Sequence, residues 1–195
     1  MKTKLFFSTA FLMLFTYVTQ AQDSAKRFGV ELSMGVSMAT GELSGTTLNP
    51  GYGFEGILQY RFMSYTSVYG GWGLSSFGAE ESFAGDDVCF EETGYVFGLE
   101  FKHPFGASPV QYYVRAGGLY GHIETDNSEG DNVSDTSHGL GWQLSGGVEV
   151  PMGKNWSFRP GLKFSSLSGE SDYDEITKEL NLNYVSLRVG FAKEF

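Results

Sequence analysis

Cysteine is nearly missing from this chain: Cys89 is the single thiol in 195 residues, so no internal disulfide can hold the fold. Basic residues are scarce, 13 against 23 acids. That balance leaves no phosphate-binding face and argues against nucleic acid as a partner. After residue 21 no apolar run approaches the roughly 20 residues that a membrane helix needs. Mean hydropathy is slightly negative. These deficits together would describe an acidic, water-soluble domain. What is abundant contradicts that description, because the chain carries 27 glycines beside 17 Phe, 11 Tyr and 3 Trp.

The first stretch is set aside before any folding argument. Lys2 and Lys4 precede an apolar run from Leu5 to Val18, and Thr19-Gln20-Ala21 places small residues where a signal peptidase reads. Residues 1–21 are therefore expected to be a cleaved secretory signal. The remaining 174 residues (195 minus 21) suit one domain, 22–195. Its formal charge is −12, from 11 bases (13 minus Lys2 and Lys4) against 23 acids.

That domain alternates with a period of two, the mark of strands whose faces differ. Phe28, Val30, Leu32, Met34, Val36 and Met38 share one face of the first run; Gly29, Glu31, Ser33, Gly35 and Ser37 share the other. Similar runs cover 51–62, 67–77, 94–102, 110–122, 140–150, 156–165 and 184–195, which makes eight strands. Connections alternate as well. Met63–Thr66, His103–Pro109 and Pro151–Asn155 are compact, whereas Thr40–Pro50, Gly78–Glu92, Ile123–Ser137 and Ser168–Asn181 are long and polar. Short turns at one end and long loops at the other suit an eight-stranded antiparallel up-and-down transmembrane β-barrel, whose closure leaves no edge unpaired in lipid.

A soluble barrel with its apolar face inside shows the same alternation. The polar face decides between them. It consists mostly of Gly and Ser with one or two charges per strand, as suits a crowded lumen, whereas the other face is too bulky in Phe, Tyr, Trp and Leu to fit inside eight strands. The apolar face is therefore expected to point to lipid. Phe28, Tyr60, Phe62, Phe101, Tyr112, Trp156 and Phe195 then form a girdle at the short-turn end, with Tyr52, Tyr120 and Trp142 at the other.

The last strand ends on alternate Val185, Leu187, Val189, Phe191, Lys193 and a terminal Phe195. This resembles the C-terminal sorting signal of outer-membrane barrels, with Lys193 departing from the usual apolar residue. Tyr112-Tyr113-Val114-Arg115-Ala116-Gly117 and Gly153-Lys154-Asn155-Trp156-Ser157-Phe158-Arg159 also resemble the eight-stranded outer-membrane β-barrel family related to the N-terminal domain of outer-membrane protein A. The resemblance implies an integral protein of a Gram-negative outer membrane, exported through the periplasm and inserted by the barrel-assembly machinery. Lipid and lipopolysaccharide are its implied surroundings, and no wall-binding domain is expected after Phe195.

Ten charges fall on the inward face: Glu31, Glu55, Arg61, Glu100, Lys102, Arg115, Glu149, Arg159, Lys163 and Arg188. Unpaired, each would cost several kcal/mol, so an interlocked network plugging the lumen is expected. No catalytic, cofactor or metal site is expected. Gly51-Tyr52-Gly53-Phe54-Glu55-Gly56 matches a dinucleotide fingerprint, yet a strand runs through it where a helix is required. Asp126 to Asp131 lacks calcium-loop spacing. His103, His122 and His138 have no serine partner at the spacing of lipid A deacylases. Acids crowd two loops, at Glu80, Glu81, Asp86, Asp87, Glu91, Glu92 and at Glu170, Asp172, Asp174, Glu175. They are expected to form a solvated, flexible rim; divalent-cation binding shared with lipopolysaccharide phosphates is the sharper reading. The functional expectation is a monomeric structural or surface-interaction protein that meets an extracellular ligand through its loops. A narrow low-conductance pore and a lipid A-modifying enzyme are the alternatives.

Overall fold

In the computed structural model the described residues are 26–82, 85–127, 129, 131–173 and 176–195, and those numbered 171–179 are described in backbone only. The expected signal peptide lies outside them, as do Asp174 and Glu175 of the fourth loop. Among the described residues every regular element is a strand: β1 (Phe28–Ala39), β2 (Gly51–Arg61), β3 (Thr66–Ser82), β4 (Gly85–Pro104), β5 (Gln111–Asp126), β6 (Asn132–Asp135), β7 (Gly139–Gly153), β8 (Trp156–Tyr173) and β9 (Ile176–Glu194). Consecutive strands pair antiparallel except at β6, where β5 pairs β7 directly, and β1 pairs β9 from Gly29↔Glu194 to Ala39↔Tyr184. Eight strands thus close a barrel, and the short β6 hangs on the outer part of β5.

The strand pattern read from alternation holds, including the tight connections. At Lys154 and Asn155 the backbone is left-handed, with φ of 50° and 66°. That is the two-residue hairpin geometry matching the right-handed twist of β7 and β8.

Face assignment is settled by exposure. Leu32, Met34, Val36, Leu58, Trp72, Phe97, Leu99, Leu144, Leu162, Leu187 and Phe191 all stand out from the barrel wall. A continuous apolar belt of that size is not left in water. Aromatic rings collect where the belt ends. Phe28 lies 5.0 Å from Tyr60, and Tyr112 lies 6.2 Å from Phe101, at the short-turn end. At the other end Tyr52, Tyr95, Tyr120 and Trp142 are exposed.

The long connections depart from expectation. Residues 78–92 and 168–181 belong mainly to strands, because β3 and β4 continue as one hairpin well past the belt and β8 and β9 as another. Their inward positions hold Phe77, Ala79, Val88, Phe90, Leu167, Leu180 and Leu182, all buried. Ile123 of β5 joins them, and the first connection folds back through a Leu43↔Thr46 bridge to bury Leu43 in the same cluster. The outward positions of the same stretch are Glu80, Cys89, Glu91, Thr93, His122 and Glu124. Beyond the belt the barrel therefore inverts, with apolar side chains inside and polar ones outside. The solvent explains it: within the belt the outside is hydrocarbon, above it the outside is water, and the register of each strand carries both regimes.

Candidate functional site

The interior below the apolar cluster is built from inward positions of all eight barrel strands. Glu31, Glu55, Glu100, Lys102, Arg115, Glu149, Arg159, Lys163 and Arg188 are all buried there. Arg115 Nη2 lies 2.6 Å from Glu31 and its Nε 2.7 Å from Glu100. Arg159 reaches Glu31 at 2.8 Å, Glu100 at 2.6 Å and Glu149 at 3.4 Å. Towards the short turns, Lys102 joins Glu149 at 3.1 Å to Glu194 at 2.6 Å. Farther up, Lys163 meets Glu55 at 3.0 Å, while Arg188 donates to the carbonyl and hydroxyl of Ser33.

Two tyrosines set the guanidinium planes. Tyr113 carries Arg159 over its ring at 4.0 Å, and Tyr69 carries Arg115 at 5.4 Å. Small residues make room for them. A Cβ on Gly117 would stand 2.5 Å from the Tyr69 hydroxyl, and one on Gly161 equally close to that of Tyr113. The glycine-rich inward face is thus the space in which the aromatic and cationic side chains interleave.

Arg61 departs from the expected set. It is half-buried at the short-turn rim, where β2 ends and its guanidinium donates to the Lys26 carbonyl. Parity alone assigned it inward, and parity loses its meaning where the strand stops. Two acids outside the ten expected charges join the set. Glu194 lies at the rim on Lys102, and Glu92, assigned to a solvated loop, is buried. The inner set changes from six bases and four acids to five bases (without Arg61) and six acids (with Glu92 and Glu194). The Phe90-Glu92-Gly94-Val96 alternation could have located Glu92, had the run of acids around it not suggested a loop.

Glu92 lies between the outward polar Glu91 and Thr93, above the apolar belt. It accepts from Tyr184 Oη at 3.3 Å, which also lies 3.0 Å from Ser75 Oγ. Burial pushes its carboxyl from 4.5 up to about 6, against the opposing pull of Lys163 and Arg188. The folded state therefore holds this proton more tightly than the unfolded chain. Its stabilising effect is complete below about pH 4.5 and is lost as pH rises through about 6. The difference amounts to about 2 kcal/mol. Replacing Glu92 with Gln is expected to raise stability relative to the parent by about that much more at pH 7.5 than at pH 4.5. Urea unfolding in micelles at both pH values measures it; an equal difference at both would show that folding leaves the Glu92 carboxyl unshifted.

A family model described as the outer membrane protein beta-barrel domain matches residues 7–193. The chain belongs to that family. Among solved structures this outer-membrane barrel is similar to Neisserial surface protein A, at 15% identity and a TM-score of 0.63, over 86% of this chain and 97% of that one. It is also similar to the outer membrane protein OprG from Pseudomonas aeruginosa (11% identity, TM-score 0.61, 88% and 96% covered) and to outer membrane protein W of E. coli (15%, 0.53, 89% and 100%). No curated relative matches it in sequence. These likenesses are of fold. The chain is an integral barrel of the bacterial outer membrane.

Proposed function

We propose that this barrel is a closed membrane element whose working surface is the set of hairpins standing outside the cell. The carrying observation is the way the interior is filled. An ion-paired lattice occupies the middle lumen, above a cavity of about 210 Å³ at the short-turn mouth lined by Arg61, Ser67 and Lys102, and an apolar cluster roofs it. Between Glu31, Arg115, Arg159 and Arg188 the remaining cavity measures about 10 Å³, room for a single water. A hydrated ion crossing here would have to break several ion pairs and then pass buried Phe77 and Phe90. Meanwhile the exposed carboxylates of Glu80, Glu81, Asp86 and Asp87 on the β3–β4 hairpin give the outer surface its acidic face. That surface suits a cationic partner, or a divalent cation bridging to lipopolysaccharide phosphate.

Single-channel recording in planar bilayers is the test. The expected trace is silent at moderate voltage; reproducible unitary steps would establish the narrow pore instead. Lipid A mass spectra from expressing and deleted strains should be identical, since the reading includes no catalytic centre. The same reading assigns the β9 edge a role in biogenesis. Val185, Leu187, Val189 and Phe191 face outward on it, and the Phe195 amide bonds to the Phe28 carbonyl at 2.8 Å, where the barrel closes. Before closure that edge is what the assembly machinery would read.

A further inference from the structure

Above the outer girdle the outward register of β5 continues as His122 and Glu124, and β6 turns back along it with Asp135 directly across from Glu124. His122 Nδ1 lies 2.7 Å from an Asp135 oxygen, and its Nε2 lies 3.5 Å from Glu124 Oε1. His138, where the return joins β7, stacks on His122 with centroids 4.4 Å apart and planes 15° from parallel. Tyr120 of the girdle lies 5.3 Å from the His138 ring. One ligand atom each from His122, Glu124 and Asp135 can be chosen within 4.8 Å of the others. His122 and His138 are far apart in the sequence, and only the β5–β6 hairpin joins them.

We propose that this hairpin holds a divalent ion of the Zn²⁺ class, with His122 Nε2 and Glu124 as ligands, Asp135 as the positioning group and His138 stacked on the His122 ring to hold its plane. Asp135 accepts a hydrogen bond from Nδ1–H, so the Nε2 lone pair is left free beside Glu124. A carboxylate behind a histidine is the usual way a ligating imidazole is fixed in tautomer and direction. The spacing also fits: two donors each about 2.0–2.1 Å from a tetrahedral ion stand roughly 3.4 Å apart. Imidazole with carboxylate selects Zn²⁺, Cu²⁺ or Ni²⁺ over Ca²⁺ or Mg²⁺, which prefer oxygen alone. Asp135 and His138 are exposed, so water completes the shell and the ion exchanges freely with the outside. Metal here would pin β6 to the rim and set the shape of the outer surface, whether or not the lumen conducts.

The test is calorimetric titration of Zn²⁺ into the untagged, refolded barrel in chelator-free micelles. One ion per chain is expected, with no binding of Ca²⁺ at the same concentration. His122→Ala should weaken binding at least thirtyfold, Asp135→Asn roughly ten- to a hundredfold, and His138→Ala about tenfold, while His103→Ala at the opposite end changes nothing. Heat-modifiable gel migration of each variant shows that the barrel still folds. Absence of Zn²⁺ binding by the parent, or equal binding by His122→Ala, would overturn the site; Ca²⁺ binding as tight as Zn²⁺ would overturn its chemistry.

Discussion

Replacing Arg159 with Met is expected to lower the unfolding free energy by about 3–5 kcal/mol. Arg159 is almost fully buried and lies within ion-pair distance of three carboxylates, Glu31, Glu100 and Glu149, with its guanidinium plane on the Tyr113 ring. Methionine fills much of the volume but leaves those acids sharing Arg115 and Lys102. The loss comes from charge left without a partner more than from the pair itself, since an ion pair replaced as a whole by neutral groups is often close to neutral. Arg159→Met combined with Glu100→Gln is therefore expected to recover a large part of the loss. Urea unfolding in micelles, followed by the fluorescence of the lipid-facing Trp72, Trp142 and Trp156, measures both. A single variant within 0.5 kcal/mol (about the scatter of neutral surface substitutions) would mean that water screens the lattice and that the lumen is open.

The second large effect is expected outside the membrane. Phe77→Ala should cost about 3–5 kcal/mol, as deletion of a buried aromatic ring does elsewhere. Phe77 has no exposed surface, faces Phe90 across the β3–β4 pair and packs edge-on against Tyr184 at 5.2 Å. If the hairpins were loosely tethered polar loops, truncation there would change stability by only a few tenths. Joint replacement of Phe77 and Phe90 by Ala is expected to open the roof. Conductance steps in the double variant, beside silence in the parent, would identify the apolar cluster as the seal.

Both predictions concern features that the sequence shows unequally. The charged lattice follows from parity, since Glu31, Glu100, Arg115 and Arg159 occupy the small-residue face of strands whose other face is bulky. Which acid meets which base depends on stagger between strands distant in sequence, and nothing local encodes that Arg159 of β8 reaches Glu31 of β1. Tyr69 and Tyr113 stood on the same face, but their place above Gly117 and Gly161 appears only when neighbouring strands are set in register. Glu92 and the apolar roof were obscured because abundant Glu, Asp and Ser made residues 78–92 look like loop.

The sequence by itself determined the number of barrel strands, their antiparallel order and the face each turns to lipid. Those properties rest on a period of two and on the contrast between bulky and small side chains, which are local and repeat along every strand. The tertiary structure decided where the barrel leaves the membrane, how its charges pair and how the β5–β6 hairpin gathers His122 and His138. These depend on the medium outside each residue and on the register between strands, and both are fixed only when the sheet closes on itself.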